Sequence, residues 1–197
     1  MELKNEPKVL GLDISTKTIG WALFGAKSQK LLELTHFSPR VTPRPTDKIE
    51  EHLKKATAFE EKLKGVKDLG IIKVIIEEPL LTSNNIYTVG SLLRYNSMIV
   101  KTVYDILGVV PQFISTYNSR KFAHESLYTY NAKGKKVLFG GQPKGCDKKH
   151  LVWEQVKVLE PHIVWPLGRT GKLKKECYDM ADAYTCVRGL MKQESIW

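Results

Sequence analysis

The chain has 197 residues, 31 Lys+Arg against 21 Asp+Glu and a formal net charge of +10, and its 42% hydrophobic share excludes wholesale disorder. Three cysteines (Cys146, Cys177, Cys186) without CxxC spacing exclude a disulfide scaffold and fit a reduced, intracellular protein. No apolar run approaches the ~18 residues of a membrane span, the start lacks a signal peptide's apolar core, and the length favours one domain over residues 1–197.

In chain order, Val9–Ser15 and Thr18–Phe24 are β-prone runs separated by Thr16 and Lys17. With Lys30–Phe37 they predict an antiparallel meander. The Pro-rich stretch Ser38–Thr46 ends that run, and apolar residues then recur at spacings of three and four from Ile49 to Val66. This predicts an amphipathic helix over Asp47–Lys67, stopped before Gly70. Ile71–Ile76 has the near-continuous β-branched pattern of a strand buried on both faces. A long helix is predicted over Asn84–Leu107, apolar on more than one side, with Gly108 ending it. Val109–Ser115 reads as a strand, Ser126–Asp147 as a loop or hairpin, and Lys148–Leu159 and Lys174–Lys192 as helices. Strands first antiparallel, then alternating with helices, predict a mixed α/β sheet with helices on both faces.

Charge is uneven along this plan. Thirteen Lys/Arg and four Asp/Glu lie between Asn118 and Lys175, so nearly the whole surplus sits there, as a polyanion-binding face would require. The mixture of Tyr128, Tyr130 and Phe139 with Lys133, Lys135, Lys136 and Lys144 suits phosphate contact and base stacking, and equally a hairpin's packing face.

Carboxylates stand where packing alone would not ask for them. Asp13 interrupts an apolar strand before a turn, Glu77 and Glu78 end the buried strand, and Asp179 and Asp182 lie three apart on one helix face. Converging acids are costly unless a cation binds, and hard oxygen donors select Mg²⁺ or Mn²⁺. Each acid also has a bland role: Asp13 favours a turn, the Glu pair a strand exit, and Asp179 a helix start. Cys146 and His150, four apart, are too few for a zinc site.

GLDISTKTIGWAL (Gly11–Leu23), IIEEP (Ile75–Pro79) and DMADA (Asp179–Ala183) resemble, in order, the three signature segments of RuvC-like Holliday junction resolvases. The resemblance implies an RNase H-like fold and four metal-binding carboxylates: Asp13, Glu77 (Glu78 being the alternative), Asp179 and Asp182. It implies two Mg²⁺ or Mn²⁺ ions, paired cleavage of four-way or other branched DNA leaving 5′-phosphate and 3′-hydroxyl ends, and a homodimer in the cytoplasm, that of the host for a phage-type member. The Asn84–Leu107 helix offers the dimer an apolar face. GCDKKH (Gly145–His150) resembles a Lys-containing family segment, which implies Lys148, with Lys149 close behind, beside the scissile phosphate. Helix-start N–H groups there can also hold phosphate. Lys133, Lys135, Lys136, Lys144, Lys149 and Arg120 are the further DNA contacts expected. The aromatic residue that the family carries three positions after its Glu is Leu80 here, with Tyr87 or Tyr95 as substitutes. GLDIST also resembles the phosphate loop of actin-like sugar kinases, which need a second such domain; a catalytically inactive junction-binding relative is the other alternative.

Overall fold

The computed structural model describes residues 6–43, 45–79, 85–143 and 145–194, with Lys136 described by its backbone alone. Strands β1 (Lys8–Ile14), β2 (Ile19–Gly25) and β3 (Leu31–Phe37) form the meander, followed by helix α1 (Lys48–Lys64), strand β4 (Ile71–Glu77) and helix α2 (Ile86–Leu107). Strand β5 (Gln112–Ile114), helix α3 (Thr116–Ala123), the short strands β6 (Tyr128–Tyr130) and β7 (Lys136–Leu138), and helices α4 (Lys148–Leu159) and α5 (Glu176–Gln193) complete the chain. The five-stranded sheet runs β3-β2-β1-β4-β5. Its first three strands are antiparallel, while β4 lies parallel to both β1 and β5. This is the mixed α/β sheet expected from the sequence.

Strand alternation divides the core in two. Leu10, Leu12, Trp21 and Ile76 pack with Phe59 of α1 and Tyr95, Ile99 and Val103 of α2 on one face. Val9, Ala22, Phe24 and Ile75 pack with Tyr184, Val187 and Met180 of α5 on the other, over which Val152 and Val156 of α4 also close. Helix starts follow their caps: Asp47 accepts from the N–H groups of Ile49 and Glu50, Asn85 from Tyr87 and Thr88, and Asp147 from Lys149 and His150.

One departure from expectation and one choice between expected alternatives bear on the site. Helix α3 falls where no element is predicted, because TYNSRKFA carries too little apolar periodicity; the Ser115 hydroxyl caps it. The Ser126–Asp147 segment contains a hairpin, β6–β7. Its Phe139 is 8% exposed and belongs to the core, so it does not stack on bases.

Candidate functional site

Register builds the site. In the parallel β1–β4 pair Leu12 lies opposite Ile76, so the next residues, Asp13 and Glu77, emerge side by side at the carboxyl ends of adjacent central strands. The third carboxylate comes from α5, which needs unusual closeness to the sheet. A Cβ on Gly20 would stand 1.9 Å from the Asp179 carbonyl oxygen, and one on Gly11 2.5 Å from that of Ala183. Gly20 pairs with Asp13 itself, so the bare glycine backbone lets the acidic stretch of α5 settle over Asp13.

Carboxylate oxygens of Asp13, Glu77 and Asp182 thereby lie within 4.8 Å of one another, the one such group among the described residues. Glu78 exits on the other face, lining a groove of about 680 Å³ with Leu93, Asn96, Tyr104 and Phe113. Glu77 is thus the member of the Glu pair that joins the cluster. Asp179, one helical turn before Asp182, stands just outside it and lines a neighbouring cleft.

The acids repel one another out of water. Burial first, then the charges of Glu77, Asp182 and Asp179, push Asp13 well above the usual carboxylate range. Burial, then Asp182, raises Glu77 to about 7, against a hydrogen bond from the Thr116 hydroxyl that favours its charge. Burial raises Asp179 to about 6, with Lys149 opposing. Such a set of half-buried and buried hard oxygen donors, with Asp13, Glu77 and Asp179 all kept from ready ionisation, fits a hard divalent cation. The cysteines and His150 do not join it; His150 instead approaches Tyr178 and Glu154.

Among the described residues two cations reach Asp182: Lys149, the alternative expected beside the phosphate, and Arg120, expected elsewhere. Lys149 Nζ lies 3.1 Å from Asp182 Oδ2, whereas Lys148 turns away, its ammonium 5.8 Å from the Phe139 ring centroid. The reason is the helix start, where one residue rotates the side chain by about 100°. Burial works against the Lys149 charge, but Asp182 and Asp13 hold its pKa above the ordinary value. Arg120, expected on the DNA-facing surface, is buried; its Nη2 donates to Asp182 Oδ1 at 3.0 Å. It arrives on α3, whose Ser119 carbonyl oxygen would meet a Cβ on Gly189 of α5 at 2.5 Å. The N–H groups of Lys149 and His150 are taken by Asp147, so they are not open to phosphate as expected.

Lys133 and Lys135 stand exposed at the hairpin turn. Lys144 and Leu80 lie outside the described residues, as does the side chain of Lys136. Tyr95 is fully buried between α1 and α2, so of the two aromatic substitutes for Leu80 Tyr87, 86% exposed, is the accessible one.

Sequence reasoning missed the cleft that Asp179 lines. It measures about 760 Å³ and is walled by Ser15, Thr18 and Ser38, with Lys17, Arg40, Lys174 and Lys175 at its sides. All four cations are exposed. Lys17 and Arg40 come from the near-neutral part of the chain, where no charge run marks them; only the fold brings them to the acids.

No protein-family model and no curated protein matches the chain. Among solved structures, Thermus thermophilus RuvC in complex with a Holliday junction substrate aligns over 96% of both chains, with a TM-score of 0.63 and 9% identity. A further Thermus thermophilus RuvC structure aligns over 96% of both chains, with a TM-score of 0.58 and 12% identity. The chain therefore has the RuvC fold, of RNase H-like architecture.

Proposed function

We propose that this protein is a metal-dependent, structure-selective DNA endonuclease that resolves four-way or other branched junctions, acting as one nuclease domain over residues 1–197. The observation that carries this reading is the convergence of Asp13, Glu77 and Asp182 at the carboxyl end of the central strands of a RuvC fold. Asp13, Glu77 and Asp182, with Asp179 beside them, would hold two Mg²⁺ or Mn²⁺ ions. When bound, such ions supply an activated water and stabilise the leaving 3′ oxygen of an in-line displacement, leaving 5′-phosphate and 3′-hydroxyl ends.

The chain's own groups do the rest. Arg120, locked in the interior, fixes the orientation of Asp182. Lys149, 52% exposed at its side chain, has the reach to screen charge on the scissile phosphate. Lys17, Arg40, Lys174 and Lys175 draw a strand past Asp179 through phosphate contacts, while Lys133 and Lys135 at the hairpin turn serve a further arm; Lys136 and Lys144 are proposed as DNA contacts on sequence alone. Paired cutting requires two sites, and we assign the dimer contact to α2. Its exposed Ile86, Tyr87, Leu93 and Tyr104, beside the groove with Val110 and Phe113, give an apolar surface that a second copy would cover.

A labelled four-way junction and a linear duplex of the same sequence, incubated with Mg²⁺, Mn²⁺ or EDTA, test this reading. Paired nicks on opposed strands of the junction, absent from the duplex and from EDTA, are expected. Binding of the junction without nicks under any metal refutes it. That outcome is the mark of the second reading, an inactive junction-binding relative, which is favoured by one observation: both oxygens of Asp182 already face protein cations.

A further inference from the structure

The two cations on Asp182 are unlike in how firmly they are held. Arg120 has a side chain only 10% exposed. It sits on a helix pressed against α5 at Gly189, where an added Cβ would lie 2.5 Å from the Ser119 carbonyl oxygen. Lys149 is in the first turn of α4, and its side chain is 52% exposed. A compact ammonium on a flexible four-carbon stem exchanges one anionic partner for another without moving the backbone.

Both oxygens of Asp182 are engaged, Oδ1 by Arg120 and Oδ2 by Lys149. A divalent ion shared with Asp13 and Glu77 needs one of those oxygens. Oδ1 is held by an interior group and Oδ2 by an exposed, flexible one, so the Lys149 contact is the one that yields most readily to a competing cation.

We propose that Lys149 is an exchangeable counter-ion of the acidic cluster: it neutralises Asp182 when no metal is bound, a divalent cation displaces it, and the released ammonium is then free for the substrate phosphate. This inference rests on the reading that these carboxylates hold metal. It makes metal loading and phosphate binding successive tasks of one side chain, and gives α4 a reason to begin at the cluster. Arg120 remains in place in both states as a positioning residue.

The test is isothermal titration of Mn²⁺ into the full chain without DNA, comparing wild type with Lys149→Met, which keeps the stem and removes the charge. Losing a competing charge-assisted contact is expected to tighten Mn²⁺ binding about tenfold, whereas Lys149→Arg, which keeps the charge, shows no such gain. In wild type the Lys149 side-chain NMR signal is expected to shift with Mg²⁺, with the calorimetric midpoint for that ion. Unchanged or weaker binding by Lys149→Met, or a signal that ignores Mg²⁺, overturns the proposal. No binding by either protein overturns the carboxylate–metal reading together with it. Tighter binding by Lys149→Met in a protein that never nicks DNA upholds the exchange and removes only the nuclease reading.

Discussion

Replacing Glu77 by Gln should make the metal-free protein more stable at neutral and alkaline pH. Glu77 is raised from an ordinary 4.5 to about 7 in the fold, so the folded chain holds its proton more tightly than the unfolded chain. Its contribution to stability is therefore fully present below about 4.5 and is lost as pH rises through about 7. At about 1.4 kcal/mol per pKa unit, ionised Glu77 costs the metal-free fold about 3 kcal/mol above that range. Gln keeps an oxygen for the Thr116 hydroxyl that Glu77 now accepts from and carries no charge. Urea unfolding in EDTA should place Glu77→Gln about 3 kcal/mol above wild type near pH 8, with the gap closing near pH 4.5. Saturating Mg²⁺ should stabilise wild type markedly and the variant little. No advantage for Gln near pH 8, or an equal advantage near pH 4.5, would refute the electrostatic argument, since a packing effect does not titrate.

Other predictions follow from the same geometry. Gly20→Ala, whose Cβ would meet the Asp179 carbonyl oxygen at 1.9 Å, should lose about 3 kcal/mol or more in urea unfolding. Gly90→Ala, inside α2 with nothing within 4 Å of its Cβ, should gain about 1 kcal/mol in the same assay. His124 is buried, with its pKa lowered by burial from 6.5 to about 3, so its contribution is present above 6.5 and lost as pH falls toward 3. His124→Gln should flatten the acid limb of the stability profile by about 1.4 kcal/mol per pH unit within that window. Charge removal in the cleft (Lys17→Ala with Arg40→Ala) should weaken junction binding and lower the salt slope by about 2, measured by fluorescence anisotropy against salt.

Much of the architecture was legible because burial writes itself as periodicity. VLGLDIS, IIKVII and the apolar spacing from Ile49 to Val66 mark two strands and a helix, and both central acids stand out, Asp13 interrupting an apolar strand and Glu77 ending one. The acids of α5 stand out likewise, within an apolar helical stretch. What stayed hidden depended on contacts between distant segments. Helix α3 has weak periodicity, so nothing in TYNSRKFA signals that Arg120 will turn inward onto Asp182. Lys148 and Lys149 are chemically alike in sequence, and only the rotation of α4 decides which faces the cluster. The glycines at 20 and 189 were silent too, since close helix approach is a property of the partner backbone. The cleft cations Lys17 and Arg40 lie far from the basic run in sequence, and composition pointed elsewhere.

The central claim is that the clustered carboxylates perform phosphodiester cleavage and are not a structural feature of a binding protein. Single-turnover cleavage of a four-way junction at saturating Mg²⁺ by Asp13→Asn, Glu77→Gln, Asp179→Asn and Asp182→Asn, with junction affinity measured in parallel, tests it most directly. Each loss should remove several kcal/mol of transition-state stabilisation, about a thousandfold in rate, while affinity for the junction stays within about threefold of wild type. Cleavage at wild-type rate by Asp13→Asn or Asp182→Asn, or by wild-type protein in EDTA, would contradict the claim.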